Sequence, residues 1–477
     1  MNKSIEPHGL VVVGGGPAGL TAAHEAARNG LLPLVLEQGA RVGGIARTEV
    51  HRGYRFDIGG HRFYTKVPEV QRLWEETLGA DFRLTPRLSR IFYDERFYQY
   101  PLDIWETLRN LGPVRSTAAV LSFTAARFGR RQRDDTFEDW VTNRFGRRLF
   151  ETFFKTYTEK VWGIGCHEIR AEWAAQRIKD LSFGSAVRQA LFPKRDDGPK
   201  SLIRQFHYPR LGPGMMWERL AERVVALGGT VETRREVVGI HHRGGRVTGI
   251  VVRPETGEAR TIPVERLIST MALDDLILRL RPEPPAHVVE AARSLRYRDF
   301  VQVGLVLRRP TVFADNWIYI HSPGVRVGRI QNFGNWSADM VPDPATSSLG
   351  MEYFCNRGDA TWTMDDDALV RLATEEIETL GLARRSDVSW GTVIRQPKAY
   401  PVYDADYRRH LDTIRAWLPA LENFQTIGRN GQHRYNNQDH SMLTGLAAVH
   451  RFLGENTDPW EVNTERSYYE EQRVTPA

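Results

Sequence analysis

The sequence predicts an α/β fold: a discontinuous Rossmann-like dinucleotide-binding domain, joined to a helical subdomain and an antiparallel sheet on the substrate side. Three observations carry this. An apolar run, Leu10–Val13, meets the glycine turn Gly14-Gly15-Gly16-Pro17-Ala18-Gly19. An Ala-rich helical stretch, Leu20–Arg28, leads to a second apolar strand, Leu34–Leu36, closed by Glu37. Far along the chain, Leu267–Thr270 and Phe424–Gly428 read as further strands returning to the same unit. The first two give the order of a βαβ unit with its glycine fingerprint.

Each part of that unit has a physical task. Gly14 permits the tight turn, Gly16 lets the backbone approach a pyrophosphate, and Gly19 lets the helix pack closely on the strand. The helix N-terminus faces the phosphates with unpaired N–H groups and a favourable dipole, and Pro17 and Ala18, just before it, are expected among the cofactor-binding residues. Glu37, followed by Gln38, ends the second strand, where a carboxylate accepts hydrogen bonds from ribose hydroxyls.

A second glycine pair, Gly43-Gly44, follows in Arg41–Thr48. This resembles the glutathione-reductase-like flavoproteins, where such a pair lines FAD. The resemblance extends to three later segments. Gly229–Thr233 with Val237 is similar to the edge segment whose backbone contacts adenine. Gly428 and Arg429 end a late strand, and the helix from about Ser441 and Met442 to Leu453 would close over the isoalloxazine.

Composition narrows the class. The chain has 477 residues, enough for two or three substructures, with 41% hydrophobic and 26% charged residues. No apolar stretch reaches the roughly 18 residues that span a bilayer, and the first residues lack a signal-peptide pattern. A cytoplasmic protein without stable membrane insertion is expected. The two cysteines, Cys166 and Cys355, give neither a metal spacing nor a disulfide framework. Net charge is +6, and all but eight of the 65 basic residues are arginine. That suits an anionic substrate or surface. Nucleic acid is not expected, because the basic run Arg130–Arg133 has no interleaved aromatics to stack bases.

Along the chain, residues 1–105, 201–275 and 415–477 read as the nucleotide domain. Residues 106–200 read as a helical cap, with helices expected at Leu121–Phe128, Phe137–Phe145 and Arg147–Thr156. Residues 276–414 read as a substrate-side sheet, with strands at Val301–Leu307, Ile318–Ile320 and Gly350–Phe354.

Several segments carry a closer resemblance. They are Gly59-Gly60-His61-Arg62-Phe63-Tyr64-Thr65, Tyr98-Gln99-Tyr100-Pro101, Tyr157-Thr158-Glu159-Lys160-Val161-Trp162, Trp173–Arg177, Tyr297-Arg298 and Gly428–Asp439. In this order they resemble the UDP-galactopyranose mutases, within the wider amine-oxidase and protoporphyrinogen-oxidase group. The resemblance implies that Gly60 and His61 line the flavin and that Arg429 lies against it. It puts Pro101, Tyr157, Lys160, Trp162 and Tyr435 around the nucleotide sugar, and Arg177 and Arg298 on the sugar and diphosphate. Tyr64, His433, Asn437 and Gln438 depart from that family's pattern.

The implied reaction exchanges pyranose and furanose rings: N5 of reduced FAD attacks the anomeric carbon while a nucleoside diphosphate leaves and returns. His61, Arg177 and Arg298 are then the catalytic set, and no metal is required. A forked guanidinium suits phosphate oxygens. No second dinucleotide fingerprint is present, so an external reductant such as NAD(P)H would bind transiently at the flavin face. Two alternatives remain at this stage: an FAD-dependent oxidase or desaturase, with an apolar tunnel in place of arginines, and a non-catalytic flavin or nucleotide-sugar binder. Oligomeric state is open.

Overall fold

A computed structural model describes residues 9–100, 102–128, 133–171 and 205–463. Pro101 and Arg177 lie outside the described residues.

The centre of the nucleotide side is a five-stranded, all-parallel sheet. Its strands run in the order Phe424–Thr426, Leu267–Ser269, Leu10–Val13, Pro33–Leu36, Thr230–Glu232. Residues from four distant parts of the sequence therefore share one sheet, as expected from the returning strands. Side chains alternate across a strand, so Val11, Val13, Leu34 and Leu36 enter one buried cluster, while Leu10, Val12 and Val35 enter another on the opposite face. Both faces being covered explains why these strands are apolar throughout.

The Pro17–Arg28 helix begins three residues before the expected start, with Pro17 at its first turn, where a missing N–H costs nothing. The Gln438–Phe452 helix packs directly along it. Gly445 makes that contact possible, since a Cβ there would meet the Ala18 backbone.

A four-stranded sheet adjoins this unit, in the order Arg260–Pro263, Arg246–Pro254, Arg235–Arg243, Leu280–Arg281. The substrate side is a seven-stranded sheet, in the order Val388–Pro401, Tyr297–Leu307, Ser347–Cys355, Arg329–Asn332, Trp317–Ile320, Ser89–Tyr93, Arg96–Gln99. All its pairs are antiparallel except Trp317–Ile320 with Ser89–Tyr93. The strands at 89–99, assigned by sequence to the nucleotide domain, thus belong to the opposite sheet.

The helical unit comprises Ile104–Leu111, Pro113–Phe128, Phe137–Phe145 and Arg147–Phe150, then a π turn at Glu151–Lys155 and a last helix, Thr156–Trp162. The Arg147 helix therefore runs beyond its expected end at Thr156. Phe137, Trp140, Phe150 and Phe153 bury against Ile91 and Tyr98 of the sheet. A capping box at Thr136 and Asp139 starts the Phe137 helix.

Candidate active site

A cleft of about 1050 Å³ lies between the parallel sheet, the seven-stranded sheet and the helical unit. Single small-molecule pockets usually occupy roughly 300–1,000 Å³. This cleft lies at the upper end of that range.

Its nucleotide end is built by the fingerprint. Gly14, Gly16, Pro17, Ala18, Glu37, Gln38, Gly44 and Val237 all line it. Gly14 has φ +101°, and a Cβ there would collide with Thr270 Oγ1. A Cβ on Gly19 would collide with the Gly14 carbonyl, so Gly19 is a packing residue behind the lining. Gly43, at φ +107°, likewise shapes the second loop against Arg47 without reaching the cleft. The Glu37 carboxylate accepts from the Gly15 N–H at 2.8 Å and the Gly39 N–H at 2.7 Å. It ties the two loops together as well as facing the cleft.

In the middle of the cleft sit Gly60, His61, Gly428, Arg429, Tyr435 and Ser441. His61 Nε2 donates to the Ile58 carbonyl at 2.7 Å. Desolvation, then Arg429 and Arg329 nearby, lower its pKa to about 4, so the ring is neutral near pH 7. Arg429 donates to the carbonyls of Ala399 (3.0 Å) and Asn436 (3.3 Å), and lies 3.9 Å from the Tyr435 ring centre. Its Nη2 is buried with no hydrogen-bond partner among the described residues. A buried donor of that kind costs free energy until a ligand meets it. Asp439 is a further buried lining residue. Burial raises its carboxyl pKa to about 7.

The far end is aromatic and cationic. Tyr157 stacks on His321 at 4.9 Å with a 4° interplanar angle. Tyr100, Trp162, Tyr319 and Tyr400 share this wall, with Arg62, Arg87, Arg329 and Arg357 among them. Arg329 Nε contacts Glu352 Oε2 at 2.6 Å, and Gln331 donates to the other carboxylate oxygen at 2.8 Å. Burial opposes the Arg329 charge, but Glu352 outweighs it and holds the guanidinium well above its ordinary pKa.

Three residues expected at the site face elsewhere. Arg298 is buried, and its guanidinium donates to the carbonyls of Val161 (3.2 Å), Lys160 (3.1 Å) and Phe354 (2.9 Å). It clamps the end of the Thr156–Trp162 helix to the sheet. Lys160 Nζ donates to Ser322 (2.7 Å), Val327 (3.3 Å) and Ile320 (3.5 Å), with its pKa lowered by burial to about 8. Met442 is fully buried, and its sulfur accepts from Trp74 Nε1 at 3.1 Å. The sequence reading overlooked Arg329, Tyr319, Tyr400 and Asp439. Arg329-Ile330-Gln331 alternates polar and apolar, a strand signal that was legible.

The fold and this cleft define a flavin-dependent enzyme. The residue pattern of the flavin containing amine oxidoreductases matches residues 17–421, and the chain belongs to that family. The glycine-lined end, the Pro17 helix start and the unpartnered Arg429 donor fit the FAD that this family implies. Coproporphyrinogen III oxidase of Mycobacterium tuberculosis is 25% identical over 452 residues, covering 87% of this chain and 91% of that protein. A pseudooxynicotine dehydrogenase of Pseudomonas sp is 43% identical over 68 residues, 14% of this chain and 13% of that protein. Among solved structures, a reduced UDP-galactopyranose mutase superposes with TM-score 0.82 at 20% identity, covering 97% of this chain and 99% of that one. A putrescine oxidase superposes with TM-score 0.61 at 16% identity, covering 94% and 99%.

Proposed function

We propose that the enzyme is a flavin-dependent mutase that interconverts the pyranose and furanose forms of a nucleoside-diphosphate sugar. The observation that carries this reading is the cationic, aromatic-walled end of the cleft. An apolar tunnel would suit an uncharged amine or polyene. Four arginines among tyrosines and a tryptophan suit a base joined to a diphosphate.

When bound and reduced, the flavin supplies a nucleophilic nitrogen toward the anomeric carbon. The chain's own residues do the rest. Arg87 and Arg357 receive the diphosphate as it leaves and hold it for return. Tyr157 and Trp162 offer faces to the base. Arg329, fixed by Glu352, orients the sugar. Neutral His61 braces the Gly59-Gly60 turn beside the flavin. Arg429 directs its unpartnered N–H at the cofactor or the diphosphate. Arg298 and Lys160 act through the helix they hold, as positioning residues. The domain division proposed with this reading assigns residues 1–105, 201–275 and 415–477 to FAD, with the strands at 89–99 moved to the substrate side.

The test is turnover with UDP-galactopyranose, UDP-galactofuranose and other nucleotide sugars, with dithionite, NADPH or no reductant. Ring interconversion only after reduction is the expected result. A second reading, oxidation of a polyanionic substrate, draws on the family and on the coproporphyrinogen III oxidase relatives, because the same arginines would receive carboxylates. Oxygen- or acceptor-dependent oxidation without isomerisation would establish it and displace the mutase.

A further inference from the structure

The Val388–Pro401 strand leaves its partner where it passes the cleft. Gln396 pairs with Phe300 and Tyr400 with Arg298, so Pro397, Lys398 and Ala399 together oppose the single residue Asp299. A bulge of this kind bends its strand and re-aims side chains. Lys398 takes φ +50° there, a left-handed conformation that a residue with a side chain adopts rarely and keeps only when its surroundings hold it. Its N–H donates to Asp299 Oδ1 at 2.8 Å, and the other Asp299 oxygen accepts from the Arg357 N–H at 2.7 Å. Gln396, Pro397 and Lys398 line the cleft, and so do Gly14, Gly16 and Gly44 on the nucleotide side.

The bulge reaches the nucleotide side through side chains. Lys398 Nζ meets Asp274 Oδ2 at 2.6 Å and Asp275 Oδ2 at 2.8 Å. Both acids sit in the first turn of the Leu273–Leu278 helix, which follows the parallel strand Leu267–Ser269. Gln396 Oε1 accepts from Arg47 Nη1 at 2.7 Å, and the same nitrogen donates to the Gly44 carbonyl at 2.8 Å. The carbonyls of Lys398 and Ala399 accept from Asn430 (2.9 Å) and Arg429 (3.0 Å). Among the described residues, no backbone-to-backbone hydrogen bond ties 396–399 to the nucleotide side. Opening the bulge therefore breaks side-chain links, each of modest net strength, and leaves the ladder on either side of it paired. Two acceptors at the closed contact, Asp274 Oδ1 and Asn430 Oδ1, are buried with no hydrogen-bond partner among the described residues. Water reaches both on opening, so the closed form is favoured only modestly.

We propose that residues 396–399 form a latch over the cofactor end of the cleft, locked by the ion pair of Lys398 with Asp274 and Asp275, and that the latch opens whenever FAD enters or leaves. The cleft lies between the parallel and seven-stranded sheets, and the latch bridges the two beside the glycine turns. The Lys398 side chain is 23% exposed and that of Asp275 38%, so salt screens the pair in part. The inference rests on the FAD that the family implies and is independent of the substrate.

The experiment follows flavin exchange by the loaded enzyme. Release is read as the gain in FAD fluorescence after dilution, and rebinding as its quenching when FAD is added back. A latch that acts equally on empty and loaded protein changes both rates alike. Lys398→Met is therefore expected to speed release and rebinding by about tenfold each and to leave Kd within about twofold. Asp275→Asn keeps one of the two acids, and is expected to speed both by about threefold. It also keeps the test open where Lys398→Met fails to fold. Raising the salt concentration is expected to speed exchange by the native protein more than by Lys398→Met. Unchanged far-UV circular dichroism shows that the variants are folded. Exchange at the native rate in both variants would overturn the proposal. Faster release with rebinding unchanged would also overturn it, because the loss would then fall on affinity and make Lys398 a binding contact.

Discussion

Three carbonyl oxygens, from Lys160, Val161 and Phe354, converge on the buried guanidinium of Arg298. Truncating it leaves them without that donor, and unpaired buried groups cost about 1–3 kcal/mol each. Arg298→Ala is therefore expected to lower stability by roughly 2–4 kcal/mol, read as a drop in Tm. A residue that only bound diphosphate would raise KM and leave Tm unchanged. Asp57 makes a second residue-scale case. It accepts hydrogen bonds from Thr48 (2.7 Å) and Tyr208, and burial raises its pKa to about 7. The folded protein then holds a proton that the unfolded chain releases near pH 4. The associated stability is full below about pH 4 and is lost as pH rises through 7. Asp57→Asn is expected to flatten stability against pH over that window, by up to about 4 kcal/mol. Chemical denaturation at pH 5 and pH 8 measures it. An unchanged slope would show that Asp57 does not titrate there.

At the scale of elements, the fingerprint was the most legible part of the chain. Gly14 and Gly44 sit where their motif expects, because their positive φ and the close approach of Thr270 and of the Gly16 backbone leave glycine as the one solution. Gly14→Ala is expected to abolish flavin binding, since it combines strain at φ +101° with a collision at Thr270. Flavin absorbance of the purified variant checks this, and a fully loaded variant would contradict it. The Thr156–Trp162 helix was harder to read. Its motif residues Tyr157 and Trp162 reach the cleft, while Lys160 turns to the Ile320–Val327 hairpin. Residues on one short helix point different ways, and spacing alone does not say which way faces a pocket. Arg329 was missed because its alternation runs through a strand of only four residues, three of them polar, too short a signal to mark it as site-lining.

For the whole molecule, sequence order conceals the architecture. The parallel sheet draws on residues from 10 to 426, and the cleft draws on residues from 13 to 463. The returning strands were legible because parallel strands buried on both faces are apolar throughout. The placement of 89–99 in the opposite sheet was not, because one hairpin pairs equally well with either neighbour. The central claim is that this cleft binds a nucleotide sugar and exchanges its ring form without net oxidation. The most direct measurement follows flavin absorbance under anaerobic conditions while the fully reduced enzyme turns over the nucleotide sugar. The account predicts many product molecules per enzyme with the flavin still reduced at the end. No ring-exchanged product from the reduced enzyme, with oxidation of substrate coupled to reduction of oxidised flavin instead, would contradict it.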